Sequence, residues 1–215
     1  MSFYDGPAII RDGLVLSLDA ADKNSYIGSG TIWRDLTANN YSGSLANTPT
    51  FNSANGGYFT FSGTNQYITT SYTQPAYGTG TSFTWNVWTN PTVSAETTRP
   101  IIGNRGGAEL IFTKLTRGAF EYYPFVMSVV LTTGVWQNVC VVKNGTSFTY
   151  YLNSVSTAVG SSTATKTATP FYIGGDPTSS EYFAGNVSNV MIYDRALSPE
   201  EIVQNYNAQK SRFNL

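Results

Sequence analysis

Residues 181–202 read E-Y-F-A-G-N-V-S-N-V-M-I-Y-D-R-A-L-S-P-E-E-I, and this stretch decides the fold. It spells a strand, a tight corner and the start of a helix. Phe183 and Val187 share one face of an extended chain, while Val190 and Ile192 share a face of opposite parity. One extra residue near Ser188–Asn189, inserted as a bulge, would turn all four toward a single core. The chain then corners through Asp194-Arg195-Ala196-Leu197. Ser198 is placed to cap a helix, Pro199 takes the first helical position, and Glu201 can close a capping box. Leu197 and Ile202 sit at the two positions of a hydrophobic staple. Ile202, Tyr206 and Gln209 then mark one stripe of a short helix.

Working outward, the same period of two recurs along the chain. Leu14, Leu16 and Leu18 alternate with Ser17 and Asp19, which predicts a strand with its leucines in the core. Ser82-Phe83-Thr84-Trp85-Asn86-Val87-Trp88 is the heaviest strand. Phe83, Trp85 and Val87 point one way; Thr84, Asn86 and Trp88 point the other, with Trp88 either a lid or a ligand platform. Asn144-Gly145 between two apolar runs is the strongest hairpin signal. Pro124 is expected to interrupt pairing or mark an edge, and Ser156–Thr169 reads as a loop or a weak edge strand. About a dozen short strands with a single terminal helix predict an all-β, two-sheet antiparallel sandwich. Residues 1–12 read as a lead, either a docking arm or an edge strand, and residues 13–215 as one domain.

Composition excludes several functions. The chain has 215 residues, enough to bury about 70% of its unfolded surface without staples. With 12 basic against 13 acidic residues it carries no basic field for a nucleic-acid backbone. It has no histidine and one cysteine, so histidine-dependent triads, an internal disulfide and cysteine zinc clusters are ruled out. Cys140, in V-C-V-V, is expected to be a small buried apolar residue. No apolar run is long enough to insert in a membrane. The opening M-S-F-Y-D-G-P-A-I-I has no signal-peptide core, so synthesis in a cytoplasm is expected.

The 181–202 stretch, with G-L-V-L-S-L-D-A-A (13–21), T-I-W-R-D-L (31–36), F-S-G-T-N-Q-Y-I (61–68), S-F-T-W-N-V-W (82–88), W-Q-N-V (136–139), Y-Y-L-N (150–153) and F-Y-I-G-G (171–175), resembles LamG-like, concanavalin A-like jelly rolls. The wording, with its short M-S-F-Y-D-G-P lead (1–7), is similar to the small stand-alone LamG-like structural proteins of tailed bacteriophages. That resemblance implies a non-enzymatic virion surface protein, made in the host cytoplasm, working as a capsid decoration or fibre-type knob. It implies other virion proteins as partners, docked through Met1–Arg11 or the C-terminal helix, with cell-surface glycans as a further partner and room for a homo-oligomer. The alternative is a glycan-binding adhesin not attached to a virion. Asn153-Ser154 stands where the family usually has Asn-Gly, which puts that turn in question.

Jelly rolls of this kind include glycoside hydrolases, which need two carboxylates flanking the sugar bond. Glu96, Glu109, Glu121 and Glu181 are scattered, and Glu200-Glu201 belong to the helix cap, so no enzyme is expected. For glycans, Trp88, Tyr122, Tyr123, Tyr172, Asp176 and Tyr182 are the candidates, because sugars take an aromatic ring beside hydrogen-bonding groups. The alternative is that these aromatics fill the sandwich. No cofactor is required. Some LamG-like domains bind calcium, and Asp19, Asp22, Asn153 and Asp176 supply hard oxygens at loops, unless they simply close turns.

Overall fold

The computed structural model describes residues 7–92, 99–104, 109–114, 117–122, 125–129 and 131–215. Two antiparallel sheets stack face to face. The first runs in the order Val155–Ser161, Ser147–Leu152, Gln137–Asn144, Ser82–Pro91, Ala184–Tyr193, Tyr58–Ser62, Thr50–Asn52, with Leu14–Asp19 joined to the later half of Ala184–Tyr193. The second runs Phe125–Val129, Arg117–Tyr122, Glu109–Lys114, Arg99–Asn104, Thr169–Ile173, Tyr67–Gln74, Gly43–Ala46, Ile32–Trp33. A small hairpin pairs Gly175–Asp176 with Glu181–Tyr182. The helix Pro199–Gln209 lies on the outer face of the first sheet, which is therefore the helix-side sheet; the other is the open-side sheet.

The parity switch in 181–202 is resolved as its residues require. Register slips between Val187 and Asn189 against the neighbouring strand, leaving Ser188 as the extra residue. Phe183, Val187, Val190 and Ile192 all enter one core with Trp85 and Leu16. Ser188 is held at the bulge: its hydroxyl donates to the Gly57 carbonyl at 2.6 Å and accepts from Arg212 Nη2 at 2.7 Å. Between the layers, Trp85 meets Phe171 edge-on at 5.2 Å and stacks on Phe83 at 5.1 Å. The helix begins with the capping box Ser198/Glu201, as its residues predict.

Local expectations differ from the structure in three places, and the turn left in question at Asn153-Ser154 is formed. Register slips between Leu14 and Leu16, so Leu14 packs with the outer cluster while Leu16 and Leu18 stay in the core. Asn144 pairs with Ser147, so the hairpin turns on Gly145-Thr146, with Gly145 at φ +60°, rather than on Asn144-Gly145. Asn153 and Ser154 both take positive φ, +50° and +66°, in the two-residue turn after Leu152. Within the lead, residues 7–12 form no strand and instead lie along the helix. Ile10 N donates to Asn205 Oδ1 at 2.8 Å, and Gln204 Nε2 to the Ala8 carbonyl at 2.8 Å. Val155–Ser161 is an edge strand within the stretch expected to be loop or weak edge. Pro124 lies outside the described residues.

Candidate functional site

On the open-side sheet, Tyr67–Gln74 alternates cleanly. Ile68, Thr70, Tyr72 and Gln74 are buried, while Tyr67, Thr69, Ser71 and Thr73 face outward. The neighbouring strand bulges between Pro170 and Tyr172, which sends Phe171 and Ile173 into the core and Tyr172 outward against Thr69 and Gly103. The chain must then turn hard beside Phe61. Gly174, at φ +76°, is required there because a Cβ would lie 2.2 Å from the Phe61 ring. The hairpin that follows brings Tyr182 back beside Tyr67.

Three tyrosines result at one place. The Tyr67 ring lies 6.2 Å from Tyr172, nearly perpendicular at 88°, and 6.3 Å from Tyr182. Arg99 Nη1 fixes the strand beneath by donating to the carbonyls of Tyr182 at 2.9 Å and Gly63 at 3.2 Å. Asp176 is fully buried behind them, its Oδ1 accepting from the Thr178 amide at 2.8 Å and from the Thr178 hydroxyl. Burial first, then the charges of Asp176 and Tyr67, push the Tyr172 hydroxyl above the ordinary phenol range, so it stays protonated. Tyr172 keeps only 8% of its surface exposed and backs the cluster, so the half-buried rings of Tyr67 and Tyr182 offer the surface for the apolar face of a sugar.

The structure thus brings together three of the six aromatic and carboxylate candidates, Tyr172, Asp176 and Tyr182. Trp88 is fully buried on the helix side, stacked with Tyr206 at 5.5 Å and Phe213 at 4.3 Å, and its Nε1 donates to Gln209 at 2.8 Å. Tyr122 is fully buried in the core against Phe148 at 4.9 Å. Both are drawn inside because large rings bury more apolar area than any other side chain here. Tyr123 lies outside the described residues. Tyr67 was missed by sequence reasoning, although its outward parity in Q-Y-I-T-T was the available signal.

The four calcium candidates do not assemble into one site. Asp19 presents both carboxylate oxygens to Arg212 Nη1 at 3.0 Å. Asp22 closes a turn onto Asn24, and Asn153 Oδ1 accepts from the Asn138 amide at 2.8 Å. Asp176 is in the distant hairpin. Calcium needs six to eight oxygens around one point, and among the described residues no three acidic, cysteine or histidine side chains converge. Cys140 is fully buried, and burial pushes its thiol up to about 12.

Among solved structures, the chain is similar to Trypanosoma rangeli sialidase in complex with sialic acid, at TM-score 0.73 and 16% identity, covering 96% of this chain and 35% of that one. It is similar to the binding domain of Paraclostridial Mosquitocidal Protein 1, at TM-score 0.71 and 14% identity, covering 91% and 52%. It is also similar to the Botulinum Neurotoxin serotype G binding domain, at TM-score 0.72 and 14% identity, covering 92% and 51%. The chain therefore spans between a third and a half of these neighbours' lengths, and at such identity they show the fold alone. Comparison with curated proteins gives no match. The family described as the concanavalin A-like lectin/glucanases superfamily, Laminin_G_3, matches residues 62–203, and the chain belongs to it.

Proposed function

We propose that the chain is a non-enzymatic glycan-binding protein displayed on a bacteriophage particle, as a capsid decoration or fibre-borne knob. The single observation that carries the binding role is the Tyr67–Tyr172–Tyr182 cluster on the outward face of the open-side sheet. The phage-like wording of the matched segments, with the short M-S-F-Y-D-G-P lead, and the low charge support the particle role. In this role the partners are other virion proteins and cell-surface glycans. A glycan array, probed with and without calcium, tests the binding. Binding lost in both Tyr67→Ala and Tyr182→Ala supports it, and an array blank in both conditions rejects it. Mass spectrometry of purified particles tests the location, which fails if the chain is never found there. Binding without virion association would leave the free adhesin.

One observation favours a hydrolase as second reading: Asp176 and Glu181 stand directly opposite in the small hairpin. Against it, Asp176 is fully buried and engaged by Thr178, whereas these enzymes set both carboxyls beside the sugar bond. Release of reducing sugar that disappears in Glu181→Gln would establish the enzyme.

A further inference from the structure

At the other end of the strand that carries Tyr67, the two sheets part to leave a pair of adjoining hollows of about 290 and 260 Å³. They share Tyr72, Pro75 and Asp194. Tyr41 stands against Tyr72 at 5.5 Å, edge to face, and the Tyr72 hydroxyl lies 3.4 Å from that of Tyr77. The wall is thus aromatic on one side. On the other side are acceptors. The Asp194 side chain is exposed and takes no hydrogen bond or ion pair among the described residues, its backbone amide alone being engaged, by Gly13. The Asn39 amide is oriented by donating Nδ2 to the Val15 carbonyl at 2.9 Å, which leaves its Oδ1 for a ligand.

The floor is rigid. Lys143, fully buried, donates Nζ to the carbonyls of Gly78 at 2.7 Å and Thr81 at 2.8 Å, and so pins the loop that carries Tyr77 and Thr81. A preformed wall lowers the ordering cost of binding. The lining includes a carboxylate and no lysine or arginine, so it disfavours an anion. Thr73 lies six positions on from Tyr67, a span of about 20 Å at strand rise, too far for one sugar ring to touch both places.

We propose that these hollows form a second carbohydrate site, selective for a neutral sugar ring, with its apolar face on Tyr41 and Pro75 and its hydroxyls donating to Asp194 and Asn39. The protein then binds glycans at two ends of one strand. The choice of ligand class rests on the glycan-binding reading, but the site is separate from the tyrosine cluster.

Titration of isotope-labelled protein with glucose, galactose, mannose and N-acetylglucosamine, followed by amide chemical shifts, tests it. The expected result is two groups of shifts, one around Tyr67 and Tyr172, the other around Asn39, Tyr41, Thr73 and Asp194. Asp194→Asn should weaken the second site about tenfold, the loss of a charged hydrogen bond, and leave the first unchanged. Asn39→Ala should act the same way, with the dispersed spectrum reporting the fold. Shifts at the first site alone overturn the second site and leave the first standing. Shifts at the second alone support the second site and overturn the tyrosine cluster. No shifts with any of the four sugars overturn both.

Discussion

The two outer faces of this sandwich have the same alternating grammar and opposite fates. On the helix-side sheet, the outward residues include Trp88, Cys140, Met191 and Tyr193, and all are fully buried. The cover is built from both ends of the chain: Ile9 and Ile10 from the lead, Leu197 and Ile202 from the corner and helix, Tyr206 and Phe213 beyond. On the open-side sheet the outward positions of Tyr67–Gln74 are Tyr67, Thr69, Ser71 and Thr73, and no described segment lies over Thr69 and Ser71, which stay exposed. The difference lies in side-chain chemistry. A face of tryptophan, methionine and tyrosine must be sealed, because leaving it in water would cost about 1.5–3 kcal/mol for each large side chain. A face of threonine and serine with a few tyrosines tolerates water and leaves the Tyr67 ring partly exposed.

The contrast can be broken first at Trp88. Trp88→Ala should destabilise the fold by about 3–5 kcal/mol, read as a shift in the urea unfolding midpoint. Tyr67→Ala on the other face should change stability by less than about 1 kcal/mol while abolishing glycan retention. Equal losses of stability in the two variants would erase the distinction between a sealed and an open face.

A second, smaller effect concerns how the cover is fastened. Arg195 donates to Glu201 through Nη1 at 2.8 Å and Nη2 at 2.6 Å, and pairs with Asp12 of the lead at 2.8 Å. Glu201 also accepts from the Ser198 amide at 2.8 Å. The Arg195 hydrogen bonds hold the Glu201 carboxyl below the usual carboxylate range. A depressed folded value means the stabilisation is complete above the unfolded value, about 4.3, and fades as pH falls through the lower folded one. Because the pair is partly solvated, the effect should be no more than about 1 kcal/mol. Thermal melts at pH 7 and pH 3 should show part of the acid loss vanish in Glu201→Gln. Ser198→Ala should cost about 1 kcal/mol at either pH.

The smallest effect lies at the edge of the helix-side sheet, away from both faces. Ser154 takes φ +66°, where a side chain is strained. Ser154→Gly should raise stability by about 0.5–1 kcal/mol, measurable as a higher melting temperature; a lower one would mean that the Ser154 side chain stabilises the turn.

The bulge at Ser188 and the cap at Ser198 were legible in the chain because both arise from neighbours a few residues apart: a parity switch in one case, an N-cap and its partner three positions on in the other. The fold class was legible for the same reason, since alternation along each strand is a local property. The candidate site was only half legible. Tyr172, Asp176 and Tyr182 were found as aromatics and a hydrogen-bonding carboxylate. Nothing local separated them from Trp88 or Tyr122, which carry the same chemistry.

The sequence by itself determined the strands, the turn chemistry, the parity of each run and the short capped helix, because these depend on backbone sterics and near-neighbour hydrogen bonds. Only the tertiary structure decided which outward face is covered and which tyrosines meet. Residues far apart along the chain must come together for that, Ile10 with Asn205 and Tyr67 with Tyr182. Period-two alternation says that a face is outward, and only the packing of the whole chain says whether anything lies on top of it.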